Sequence, residues 1–359
     1  MFTPHSSRTA RRLAPGLIAY ALALSMAWAP SAAAAPPIPA APPMAGSTAE
    51  QFGGSAQAMG ENIGAGMTPD GNLPAVTSGD GDGPGKYVAL GDSYAAVGRI
   101  APGAWSDGPV GCVRTDDSYP TVVARELGVD TFVNASCGGA VTDDFWAPDK
   151  GVPPQFDALT DDTDLVSMSI GGNDVGFGAV ILACAVRTNV AEPLRPAVDQ
   201  LMPSISEGFD SSTGCADVID RQAAAALDEL DTHLDEVYAE IARRSPNAQV
   251  VTTGYLAAIP ETEELIASSP ACAPLMAATR EERDKVRGFQ NSLNDVVRAA
   301  AERNGATVVI PDEPGHSMCA PAHTRYVDLL GVETGAAPIH PTSLGHAHVA
   351  DRVLKALEG

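Results

Sequence analysis

Tyr87-Val88-Ala89-Leu90-Gly91-Asp92-Ser93-Tyr94 joins an apolar run of strand length to a glycine turn and a hydroxyl. A strand over Tyr87–Leu90, a tight turn at Gly91 and a helix-compatible stretch as far as Gly98 put Ser93 near a helix N-terminus. Unpaired N–H groups and the helix dipole favour developing negative charge there. Asp92 or Ser93 could equally serve only as the N-cap of that helix. A lone Gly-Asp-Ser does not decide between a cap and a nucleophile, so the weight falls on its surroundings.

Four further β-like runs follow, Thr131 to Ala135, Leu165 to Ile170, Gln249 to Thr253 and Ala306 to Ile310. Helical patterns with apolar residues at three- and four-residue spacing cover Tyr119 to Leu127, Arg221 to Arg243, Glu281 to Asn304 and Ser343 to Leu357. This alternation predicts an α/β fold, a three-layer α/β/α sandwich around a central, mostly parallel five-stranded sheet. Ligands bind such sheets at the carboxyl ends of the strands, so the loops that follow strands are where chemistry is sought.

After the second strand, Asn134-Ala135-Ser136-Cys137-Gly138-Gly139-Ala140 carries paired glycines that let a backbone N–H approach a ligand closely. After the third, Ile170-Gly171-Gly172-Asn173-Asp174 offers a second glycine pair and then an amide able to donate. Near the C-terminus, Ile339-His340-Pro341-Thr342-Ser343-Leu344-Gly345-His346 places His340 just before a helix, where it can serve as a base. Taken singly, the glycines suit a loop, Asn173 a turn and His340 a structural role. Their order after successive strands makes them a constellation.

The chain has 359 residues, 45% hydrophobic and 19% charged, enough to bury a sizeable core in one large or two ordinary domains. Arg8, Arg11 and Arg12, the apolar stretch Leu17 to Ala29 and the small residues Ser31 to Ala35 read as a secretory signal peptide over 1–35, cleaved near Ala35. Arg11-Arg12 alone does not make a twin-arginine signal, and the apolar core is too short to favour an uncleaved anchor, so secretion with no lasting membrane span is expected. Residues 36–85 are dominated by Pro, Ala, Gly, Ser and Met and read as a linker or disordered arm, with a proline-rich binding segment as the alternative. One folded domain then runs over 86–359.

A net charge of −23 excludes nucleic acid and anionic headgroups as electrostatic partners and fits a solvated surface. The six cysteines, Cys112, Cys137, Cys184, Cys215, Cys272 and Cys319, all follow the arm, and an even count in an exported domain suggests disulfides. Nearest-neighbour pairing would close three separate loops, each worth roughly 3 to 4 kcal/mol by chain entropy. No Cys-x-x-Cys spacing supports zinc, and His340, His346 and His348 do not share one helical face, so no metal or cofactor is expected and His346 reads as a packing or capping residue.

Gly91-Asp92-Ser93, Ser136-Cys137-Gly138-Gly139-Ala140, Gly171-Gly172-Asn173-Asp174 and His340-Pro341 with Gly345-His346 together resemble the SGNH (GDSL) hydrolases, in matching order along essentially all of 86–359. The likeness is greatest to the secreted, disulfide-bonded bacterial lipases and esterases of that family. The resemblance implies a flavodoxin-like fold, Ser93 as nucleophile, His340 as base, and an oxyanion hole of the Ser93 N–H, the Gly139 N–H and the Asn173 amide. It also implies six cysteines paired in sequence order. A Cys112–Cys137 bridge would stiffen the wall carrying Gly139, and the other two pairs would brace the segments that shape the substrate pocket.

One position departs from the family pattern. Where many members place an aspartate three residues before the histidine, this chain has Ala337. The Ala337 carbonyl is the favoured acceptor for the imidazole, because an N–H···O=C bond is enough to fix its tautomer. A carboxylate folding in from Glu333, Asp328 or Asp312 is the rival. The expected substrate is a lipid or small-molecule ester, with a carbohydrate acetyl ester or a phospholipid as alternatives and a non-catalytic secreted binding protein as the reading from another class. Trp105, Phe145, Trp146 and Phe156 either pack or line an acyl groove. A monomer is expected.

Overall fold

The β-like runs are strands in the computed structural model, which describes residues 84–100, 111–178, 180–181, 215–269, 272, 278–329 and 331–358. The readings of a signal peptide over 1–35, of most of the arm over 36–85, of Trp105 and of a Cys184–Cys215 bridge lie outside the described residues. Strands β1 (Lys86–Gly91), β2 (Thr131–Asn134), β3 (Leu165–Ser169), β4 (Gln249–Thr253) and β5 (Thr307–Val309) form one parallel sheet in the order β2-β1-β3-β4-β5. β3 is the central strand and β1 lies between β2 and β3, with Tyr87 beside Phe132 on one side and Leu165 on the other. All five residues of β3 are buried, as expected of a parallel strand covered on both faces.

The helices are α1 (Ser93–Ala96), α2 (Tyr119–Leu127), α3 (Cys215–Arg244), α4 (Glu263–Ser268), α5 (Arg280–Arg303) and α6 (Ser343–Leu357). Their ends follow local chemistry. Pro120 opens α2 and Gly128, at φ 60°, closes it. Thr279 and Glu282 form a reciprocal capping box on α5, and Thr342 caps α6 through the Gly345 N–H at 3.0 Å. α3 starts at Cys215 rather than Arg221, since nothing in Cys215-Ala216-Asp217-Val218-Ile219-Asp220 breaks a helix.

The step from β1 to β2 runs one way across the sheet and the steps from β3 to β5 run the other. Right-handed crossovers therefore put α2 on one face and α3 and α5 on the opposite one, and α6 returns to pack on α2. The expected three-layer architecture results, with its reversal of direction at β1 and β3, where ligands bind in such folds. Beyond the sheet, β6 (Val327–Asp328) and β7 (His340–Pro341) form a small antiparallel ribbon in which Asp328 faces His340. Two 3-10 turns, Thr142–Phe145 and Gln155–Ala158, carry Phe145 and Phe156 into the core, ring centroids 5.2 Å apart, so those two aromatics are packing residues. Trp146 lies edge-on to Phe156 and stays 40% exposed. Cys112 is bonded to Cys137 and Cys272 to Cys319. Among the described residues no helix is long and apolar enough to cross a membrane.

Candidate active site

The turn after β1 is built on Gly91, whose φ of 133° only glycine adopts readily and where a Cβ would meet the Ser169 carbonyl. Gln155 clasps the same residue, accepting its N–H at 2.7 Å and donating to its carbonyl at 2.9 Å. Asp92 then caps α1, its carboxylate accepting the Tyr94 N–H at 2.8 Å. The capping role thus falls to Asp92, and Ser93 begins the helix with a hydroxyl that makes no hydrogen bond among the described residues.

Two loops converge on this turn. The Cys137 N–H donates to the Gly91 carbonyl at 3.0 Å, which draws the loop after β2 against the serine. On either side of Gly139, the Gly138 N–H bonds the Cys112 carbonyl at 2.9 Å and the Ala140 N–H the Cys137 carbonyl at 3.1 Å. Gly139 itself, left-handed at φ 80°, has an N–H with no acceptor among the described residues. From the loop after β3, Asn173 gives one amide hydrogen to the Ala140 carbonyl at 2.9 Å and keeps the other. Asp174 fixes the neighbouring turn by accepting the Thr142 N–H at 3.0 Å and its hydroxyl at 2.6 Å.

A buried chain of hydrogen bonds joins the serine loop to the Asn173 loop. The Gly172 N–H donates to the Tyr255 hydroxyl at 2.6 Å, and that hydroxyl donates to Asp92 at 2.6 Å. Burial pushes the Asp92 carboxyl up to about 7, opposed by the hydrogen bonds from Tyr255 and Tyr94.

His340 sits on β7, against which α1 packs. Its Nδ1–H donates to the Pro338 carbonyl at 2.7 Å, while its main-chain N–H takes the Ala337 carbonyl at 3.1 Å. The acceptor is therefore a main-chain carbonyl but that of Pro338, not Ala337, because the backbone of His340 already occupies the Ala337 oxygen. The rival carboxylates are engaged elsewhere or lie at the surface. Asp328 holds the Gly331 N–H, the Thr334 hydroxyl and Arg325, Glu333 pairs with Arg325 at 2.8 Å, and Asp312 is exposed. With Nδ1 protonated, Nε2 is bare, and burial of the ring lowers its pKa to about 4, so the imidazole is neutral at neutral pH. No hydrogen bond joins Ser93 Oγ to His340. The link between them is Tyr94, whose ring centroid lies 5.7 Å from that of His340 and whose hydroxyl donates to the Ile339 carbonyl at 3.0 Å.

His346 is fully buried, its Nδ1 accepting the Tyr119 N–H and its Nε2 donating to the Val97 carbonyl, each at 3.0 Å, which matches a capping role. Sequence reading missed Gln155, Tyr94, Tyr255 and Pro338. None carries a motif, although Tyr94 and Pro338 stand within two positions of residues that do.

The sequence model of the GDSL-like Lipase/Acylhydrolase family matches residues 89–348. Lipase 2 of Streptomyces coelicolor is 32% identical over 281 residues, covering 76% of this chain and 85% of that protein. Among solved structures, an extracellular lipase from Streptomyces rimosus superposes with a TM-score of 0.54 at 26% identity, covering 76% of this chain and 98% of its own. Phospholipase A1 from Streptomyces albidoflavus gives 0.55 at 28% identity over 77% and 98%.

Proposed function

The chain belongs to the GDSL-like lipase/acylhydrolase family and is a carboxylic ester hydrolase, and from that premise we propose a secreted enzyme that cleaves acyl esters through an acyl-enzyme on Ser93. The catalytic domain spans 86–359, behind a cleaved signal and a linking arm. Two disulfides among the described residues support export.

The observation that carries the reading is the bond from His340 Nδ1 to the Pro338 carbonyl, which leaves Nε2 as the basic nitrogen. As substrate closes the gap between the two side chains, His340 Nε2 takes the Ser93 proton and Oγ attacks the ester carbonyl carbon. The charge that appears on the carbonyl oxygen is met by the N–H groups of Ser93 and Gly139 and the free amide hydrogen of Asn173, and such a donor is typically worth on the order of 10²- to 10³-fold in rate. Collapse of the tetrahedral state breaks the bond to the alcohol oxygen, which receives the proton from His340. Water then attacks the acyl-serine, giving its proton to His340, and Ser93 is regenerated as the acid departs. The dyad is oriented by the main chain, with no carboxylate third member.

Acyl esters of lipid type are the first reading of the substrate. The likeness to a phospholipase A1 favours a phospholipid as the second. A fluorophosphonate probe tests the mechanism: it labels the native protein and fails to label Ser93→Ala. Absence of labelling in folded native protein would mean a scaffold that binds without turnover. A panel of p-nitrophenyl esters from acetyl to long acyl, with phosphatidylcholine and acetylated xylan, assigns the substrate by the highest kcat/KM.

A further inference from the structure

Ile339, the residue before His340, has a φ of 63°. A β-branched side chain is crowded there by its own backbone and does not hold that conformation unaided. Both of its main-chain polar groups are pinned. Its N–H donates to the Asp328 carbonyl at 2.6 Å, and its carbonyl accepts the Tyr94 hydroxyl at 3.0 Å. The reversal at Ile339 turns the preceding peptide so that the Pro338 carbonyl faces back to His340 Nδ1 at 2.7 Å. Tyr94 is anchored in turn, its N–H on Asp92 at 2.8 Å and its ring edge-on to Tyr255 at 4.8 Å.

We propose that Tyr94 is a positioning residue for His340: its hydroxyl clamps the Ile339 peptide in the left-handed backbone that aims the imidazole at Ser93. The residue after the nucleophile thereby sets the geometry of the residue before the base, so the two halves of the dyad are registered through one side chain. Burial, reinforced by the Asp92 charge, holds the Tyr94 phenol well above its ordinary value, so the hydroxyl is protonated and a donor at neutral pH. The proposal rests on the reading of His340 as base, and the experiment separates the two.

The test is steady-state hydrolysis of p-nitrophenyl butyrate by the full chain, with thermal melting as the check on folding. His340→Ala serves as reference and loses nearly all turnover; if it keeps native turnover, the dyad reading itself falls. Given that reference, Tyr94→Phe, which keeps the ring, lowers kcat roughly 10- to 100-fold through misalignment while KM stays within about twofold. Glycine adopts the left-handed backbone freely, so Ile339→Gly added to Tyr94→Phe brings kcat to within about threefold of Ile339→Gly alone. Native kcat in Tyr94→Phe, a loss in KM alone, or a loss that Ile339→Gly does not relieve would overturn the clamp. Should Tyr94→Phe not fold, Ile339→Gly with Tyr94 intact decides: kcat within about threefold of native supports the clamp, and a fall of about 100-fold in folded protein overturns it.

Discussion

One position after Ala337, where the family pattern puts an aspartate, the neutral Pro338 carbonyl holds the His340 imidazole. It fixes the tautomer as a carboxylate would but adds no charge to stabilise an imidazolium. Glu333→Gln and Asp312→Asn should each leave kcat within about threefold, as measured on p-nitrophenyl butyrate, because neither side chain reaches the imidazole. Asp328→Asn differs. It weakens a buried ion pair with Arg325 and loosens the turn before His340, at a cost of up to about 3–5 kcal/mol in thermal or denaturant unfolding. A fall of several orders of magnitude in folded Glu333→Gln would return the carboxylate to the mechanism. The placement of Ser93, Gly139 and Asn173 after the first three strands, and of His340 before the last helix, was legible in chain order. The exchange of Ala337 for Pro338 was not, since it depends on the backbone sign at Ile339, and no propensity places a β-branched residue at positive φ. Tyr255 was equally hidden, because its bond to Asp92 spans 163 positions and two side chains that read as ordinary core and cap.

Among the elements, α2, β4 and α6 run as their periodicity predicts, for each is long enough to show a period and is flanked by a cap or turn residue. The ribbon of β6 and β7 and the two 3-10 turns escaped, since segments of two to four residues have no period to read. The Cys112–Cys137 bridge shows how one connection serves two elements: it closes 25 residues and backs the loop on which the Gly139 N–H is left free. Replacing both cysteines by alanine should cost about 3–4 kcal/mol of stability by loop entropy, read by denaturant unfolding. With Gly139 in the proposed oxyanion hole, the same variant should lower kcat more than it raises KM, because a looser loop there weakens transition-state binding first. Unchanged kcat well below the unfolding midpoint would show that the Gly138 and Cys137 hydrogen bonds alone hold that wall.

Over the whole molecule, stability and acidity are coupled through buried groups of opposite kind. Burial holds His340 at about 4 and also lowers His346 and His348. The unfolded chain, with histidines near about 6.5, binds more protons than the native one between those values, so these three residues withdraw stability as pH falls through about 6.5 toward 4. Asp92, raised to about 7, acts the other way, since between about 4 and 7 the native state binds the extra proton. Burial raises the Asp144, Asp174 and Asp312 carboxyls in the same sense as Asp92, so carboxylates oppose histidines and the change in melting temperature from pH 7 to pH 5 is the balance of the two kinds. In Asp92→Asn the change from pH 7 to pH 5 should move toward loss of stability relative to the native protein, because one opposing group is gone; calorimetry at the two pH values reads both proteins, and no such move would show that Asp92 is ionised throughout. The same carboxylate belongs to the chain that runs through the Tyr255 hydroxyl to Gly172. β4 carries none of the four candidate site residues, yet a single phenolic oxygen just past its end spaces the Ser93 loop from the Asn173 loop. A strand outside the site is thus its ruler, and the separation of the two loops is gauged by the length of one tyrosine.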